Sequence, residues 1–122
     1  MIALWVVLAG SAGAVSRFVL DGVIRSRLKT DFPFATVLIN VTGSAILGVV
    51  AGLVAFRSAP EQVQAIVGVG FCGGFTTFST ASVETVRLLE RRLYRPAAYN
   101  AIGTALATTA VAGAAMVAAA YI

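Results

Sequence analysis

The side chains in this chain that are able to do chemistry at depth are neutral. Asn40 stands inside a long apolar stretch, and the run Thr76-Thr77-Phe78-Ser79-Thr80 gathers four hydroxyls around one aromatic ring. Thr104, Thr108 and Thr109 punctuate the last apolar block. The chain has no His and a single cysteine, Cys72. An internal disulfide and an ordinary zinc site are both out of reach, so metal catalysis is not expected. Cys72 reads as a small apolar residue inside a helix bundle.

Neutral donors suit a small, strongly hydrated anion, which needs replacement hydrogen bonds when it sheds water and would be trapped by a buried fixed positive charge. A proton-coupled exporter of cations would instead want a carboxylate at mid-membrane. Asp21 and Glu84 lie towards the ends of apolar blocks, and Asp31, Glu61 and Glu90 fall in connections. Phe75 and Phe78 could turn their electropositive ring edges to an anion, although Phe at helical spacing ordinarily packs a core.

The elements that must position these groups follow from composition. The chain has 122 residues, 59% apolar and 11% charged, with a mean hydropathy of +0.93. That is far from the makeup of a soluble domain. Four apolar blocks, at 2–20, 34–56, 63–86 and 97–122, predict an all-α membrane protein with four transmembrane helices in a single domain over 1–122. There is no room for a separate soluble catalytic or nucleic-acid-reading domain. The first block is read as a retained span, since no basic segment precedes it.

Pro33 suits the start of the second helix. Gly70, Gly73 and Gly74, followed by Thr76 and Thr77, interrupt the third block. Two readings stay open there: an unwound segment with inward carbonyls, or close helix packing through the four-residue spacing of Gly70 and Gly74. Gly48 and Gly52 repeat that spacing on the second block. The fourth block is rich in Ala and Gly, with Thr104, Thr108 and Thr109 as its main polar content.

The net charge of +4 would suit nucleic acid in another setting, but the cations cluster in two short connections with no interleaved aromatics. Arg25, Arg27 and Lys29 belong to the first, and Arg87, Arg91, Arg92 and Arg95 to the third. The second has Arg57 alone. The positive-inside rule then puts the first and third connections in the cytoplasm and both termini outside. Arg17 is expected to anchor the first span at the interface by snorkelling, with a vestibule that attracts anions as the other reading.

The run from Gly70 to Thr80, GFCGGFTTFST, closely resembles the signature of the Fluc (CrcB) fluoride channel family. Gly10 to Arg17, GSAGAVSR, is similar to the family's first-span motif, and Ile39-Asn40-Val41-Thr42-Gly43 to its second-span motif. The resemblance covers the whole chain. It implies a passive fluoride-selective channel in the cell membrane that lets fluoride leave the cytoplasm and so lowers its toxicity. It also implies an antiparallel dimer with two pores, a third helix broken at Gly-Gly-x-Thr-Thr, and a structural sodium ion held by the carbonyls of Gly73 and Thr76. No organic cofactor is implied. The family's pore asparagine falls on Asn40 and the first of its two pore phenylalanines on Phe78. Ser79, Thr80, Tyr99, Thr104 and Thr108 complete the expected ion path.

The departures are as specific. Where the family pattern reads FSTFS, this chain has Phe78-Ser79-Thr80-Ala81-Ser82, so Ala81 replaces the second phenylalanine. Aligning Tyr99 with the family's tyrosine puts Gly103 and Ala107 at the positions of pore serines, with Thr104 and Thr108 on an adjacent face. Seven loop cations against one commit the chain to one orientation, whereas an antiparallel homodimer needs both. The expectation is a heterodimer with a related, oppositely inserted subunit that supplies the missing groups. The other expectation is a non-conducting structural or regulatory subunit.

Overall fold

The computed structural model describes all 122 residues and is entirely helical. Four helical spans, Ile2–Arg27, Phe34–Arg57, Glu61–Glu90 and Tyr94–Ala119, are long and apolar enough to cross a membrane. Helices α1 (Ile2–Arg27) and α2 (Phe34–Arg57) are continuous. The third span consists of α3 (Glu61–Val63), a π-helical run Gln64–Cys72, α4 (Gly73–Phe75) and α5 (Phe78–Glu90). The fourth consists of α6 (Tyr94–Ala98), a π-helical turn Tyr99–Gly103 and α7 (Thr104–Ala119).

The helices outrun the apolar blocks that seeded them. At 1.5 Å per residue α1 is about 39 Å long, against roughly 30 Å of hydrocarbon. Its last turns, Asp21 to Arg27, therefore continue as helix into the polar zone instead of forming the expected loop. Pro33 sits immediately before α2, where its missing N–H costs nothing. Ser58, at φ 57°, ends that helix in the left-handed conformation, and the Ala59 N–H reaches back to the Leu53 carbonyl at 3.1 Å. Arg91 Nη1 meets Asp31 Oδ1 at 2.8 Å, so the first and third connections share one end of the bundle.

Glycines bring the spans close. α2 and α7 form the most extensive contact, with Gly48 and Gly52 lying on the Ala112 and Met116 carbonyls. A methyl added at Gly48 would stand 2.9 Å from the Ala115 Cβ, and one at Gly52 2.6 Å from that of Ala119. α1 packs on the third span in the same way: Gly13 faces the Phe71 carbonyl and Gly74 the Gly10 carbonyl. Without a hydrophobic drive inside lipid, this proximity is what yields contact energy. Large apolar side chains such as Leu4, Trp5 and Leu8 point outward from α1.

The interruption of the third span lies at the threonines. Thr76 (φ −86°, ψ 160°) and Thr77 (φ −146°, ψ 123°) are extended, whereas Gly73 and Gly74 are still helical. β-branched residues tolerate extended backbone well. Thr77 then restarts the helix as an N-cap, its Oγ1 accepting from the Thr80 N–H at 3.2 Å. Gly70 and Gly74 are packing residues: a methyl on Gly70 would stand 2.9 Å from the Val6 carbonyl oxygen. Extended backbone thus falls on the threonines of this stretch and close packing on its glycines.

Candidate functional site

A cavity of about 720 Å³ lies between α2, the third span and the fourth. Asn40 and Ser44 line it from α2, Gly73 to Ser82 in part from the third span, and Asn100, Thr104 and Thr108 from the fourth. Not one charged side chain is among its lining residues. The trough follows from packing: the α2–α7 glycine contact holds those helices together while the part of the third span before its interruption leans on α1, leaving a space between the third and fourth spans.

Asn40 clamps the interruption. It is 9% exposed; its Nδ2 donates to the Thr77 carbonyl at 2.9 Å, and its Oδ1 accepts from the Thr77 N–H at 2.8 Å. Gly43, one turn on, makes room for the Thr76 methyl. Arg17 secures the other side. Its Nε donates to the Gly74 carbonyl at 3.2 Å, at the end of α4 where unpaired carbonyls favour a cation. Arg17 is half-buried, and this bond ties α1 to the third span.

These clamps divert amides that a continuous helix would use. In an α-helix the Gly73 carbonyl would accept from the N–H of residue 77, and the Thr76 carbonyl from that of residue 80. The Thr77 N–H is taken by Asn40 Oδ1 and the Thr80 N–H by Thr77 Oγ1. Gly73 and Thr76 both line the cavity, and Gly73 has nothing within 4 Å of where a Cβ would stand.

The phenylalanines part company. Phe75 is 4% exposed and stacks on Phe71 with ring centroids 5.5 Å apart, so it is core and not an anion contact. Phe78 is 88% exposed at the cavity's edge, so its ring packs nothing within this chain. Thr104 and Thr108 face the cavity, whereas Gly103 and Ala107 do not line it. Ala81 does. Ser79 and Tyr99 are exposed outside the cavity. Thr80 lines a smaller space of about 260 Å³ with Arg17, Asp21, Thr36 and Thr77.

Several cavity hydroxyls are parked on their own spans. Thr76 donates to the Cys72 carbonyl, Ser82 to Phe78 and Thr108 to Thr104, each at 2.8–2.9 Å. Such bonds four residues back satisfy the hydroxyl without a ligand, and a χ1 rotation would turn the O–H into the trough. Thr104 Oγ1 has no partner at all. Buried Cys72 fits its expected role as small packing.

Asn100, 1% exposed, is a polar group the sequence reading passes over among the threonines of the fourth block, although an amide in an apolar run is the same signal that marks Asn40. Glu84, placed by the sequence only towards the end of an apolar block, has partners that no local pattern names. Its side chain is 11% exposed and binds Thr36 Oγ1 at 2.5 Å and Arg25 Nη2 at 2.8 Å, joining α1, α2 and α5. Arg25, counted as a loop cation, is therefore a helix residue paired with Asp21 and Glu84.

The family description "CrcB-like protein, Camphor Resistance (CrcB)" matches residues 4–121. This chain belongs to the CrcB family. It is 49% identical to "Fluoride-specific ion channel FluC 1" of Leifsonia xyli subsp. xyli over 93% of this chain and 82% of the relative. It is 46% identical to "Fluoride-specific ion channel FluC 2" of Cutibacterium acnes over 88% of each, and 43% identical to "Fluoride-specific ion channel FluC" of Nitrobacter winogradskyi over 78% and 76%. CrcB membership is that of a channel family and not of an enzyme family.

Proposed function

We propose that this chain is a subunit of a fluoride-selective channel that lets fluoride leave the cytoplasm passively. The observation that carries this reading is the cavity's lining: hydroxyls, amides and one exposed aromatic edge, with no fixed charge, in a member of a family whose relatives are named fluoride channels. Neutral donors replace the water a small anion loses without holding it in place. Fluoride enters cells as neutral HF and dissociates in the less acidic cytoplasm, so a passive path outward is enough to lower its toxicity.

The ion path of this reading uses Asn40, Phe78, Ser79, Thr80, Tyr99, Thr104 and Thr108. Only Asn40, Phe78, Thr104 and Thr108 meet in one cavity of the single chain. Exposed Ser79, Tyr99 and Phe78 fit a second subunit laid across the trough. The subunit would be antiparallel and, given seven loop cations against one, a related chain of opposite insertion. A structural sodium ion suits the interruption. The carbonyls of Gly73 and Thr76 have lost their helical donors, backbone oxygens are hard ligands, and they are the residues that would hold it. Sodium would supply positive charge that fastens two subunits together.

The test is fluoride efflux from liposomes containing this chain alone and together with a related subunit of opposite loop bias. Selective fluoride flux over chloride in either preparation is expected. Absence of flux in both, from monodisperse protein, would leave the alternative of a structural or regulatory subunit. That alternative is favoured by Ala81, which puts a methyl where the family pattern has a ring.

A further inference from the structure

Asn100 lies in the π-helical turn of the fourth span, with its side-chain amide turned to the third. Its Nδ2 donates to the Ala81 carbonyl at 3.2 Å and to Thr85 Oγ1 at 2.8 Å, and Thr85 Oγ1 donates in turn to the Ala81 carbonyl at 2.9 Å. The two bonds from Asn100 are the only side-chain hydrogen bonds between the third and fourth spans, which meet where α5 packs on α6 and this turn and part around the cavity beyond it. Asn100 Oδ1 has no partner although the residue is 1% exposed. An unpaired buried acceptor weakens a fold, so stability alone does not account for an amide here in place of an apolar side chain. The bulge itself is a backbone irregularity of the kind that re-aims a side chain at a functional site.

We propose that Asn100 is a positioning residue for the ion path, setting the distance between α5 and α7 and so how far Phe78 stands from Thr104 across the trough. The inference rests on the channel reading above. α5 is pinned at its start by Asn40 through Thr77, and near its middle by Thr36 and Arg25 through Glu84. Those anchors tie it to α1 and α2. α5 also packs against α6, and Asn100 supplies its side-chain hydrogen bonds to the fourth span, one of them to Ala81, one turn from Phe78.

The experiment compares wild type, Asn100→Leu, Thr85→Val and the double variant in whichever preparation conducts. Each also carries 4-fluorophenylalanine at position 78 for 19F NMR. Asn100→Leu is expected to lower fluoride flux about tenfold and Thr85→Val roughly two- to fivefold. The double variant should be no slower than Asn100→Leu, because both changes break the same connection. The fluorine resonance should move in both single variants. Multiplying effects, or an unmoved resonance with wild-type flux, would overturn the proposal. Should Asn100→Leu not fold, Thr85→Val carries the same decision. A wild type that passes no fluoride refutes the channel reading instead, and the resonance then still decides whether Asn100 positions α5.

Discussion

At the scale of single residues, the structure changes what Asn40 does before it changes whether Asn40 matters. Its amide spends one N–H and its carbonyl on the peptide of Thr77, so it both shapes the interruption and faces the cavity with what remains. Asn40→Asp keeps the acceptor for the Thr77 N–H but sets a carboxylate against the Thr77 carbonyl and beside the ion. A unit charge about 4 Å from the anion costs about 4 kcal/mol at an effective dielectric of 20, or roughly a thousandfold in rate. Fluoride flux in Asn40→Asp should fall below detection, and undiminished flux would remove Asn40 from the path. The ion cluster around Arg25 ranks differently. Asp21→Asn removes an exposed pair four residues apart and should cost only about 0.3–0.5 kcal/mol. Arg25→Leu strands the largely buried Glu84 and should cost several times that, as read by thermal unfolding in detergent.

At the scale of elements, glycine serves contact more than flexibility in this bundle. Gly48 lies directly on the α7 backbone, so Gly48→Ala should destabilise by about 1–3 kcal/mol through overpacking. Gly22 on α1 has nothing within 4 Å of an added Cβ, so Gly22→Ala should instead stabilise by about 0.5–1 kcal/mol through helix propensity. Unfolding of both variants by steric trapping checks the opposed signs. Thr77 stops one helix and starts the next, and Thr77→Val removes the cap on Thr80. A loss of about 1 kcal/mol in the same measurement is expected. The motif around these residues was legible as a disturbance in an apolar run. Which residue would leave the helix was not, because glycine allows extended backbone without requiring it, and the choice fell to Asn40 and Arg17 arriving from other spans.

For the whole molecule, alternation of four spans puts the first and third connections together, and the Arg91–Asp31 pair joins them. Pairing of Arg25 and Arg91 with carboxylates does not weaken the orientation signal, which counts Lys and Arg and not net charge. A reporter fused after Ile122 should therefore be found outside the cytoplasm in nearly all molecules. Equal populations in both orientations would refute the single-orientation argument and, with it, the need for an oppositely inserted partner. The open trough agrees with a subunit that is unfinished alone: Phe78 and Tyr99 project where this chain has nothing to cover them.

The class of solvent, the four spans and the neutral character of the lining were legible in the residues alone, because each follows from how much apolar surface they carry and where charge is withheld. It took the fold to show that Phe75 is core while Phe78 is not, that Arg17 and Asn40 grip one interruption from two sides, and that Asn100 and Glu84 each bond to a neighbouring span. Those outcomes depend on which helix faces which. Facing is set by glycine contacts between residues far apart in the chain, whose partners no local pattern of hydropathy can name.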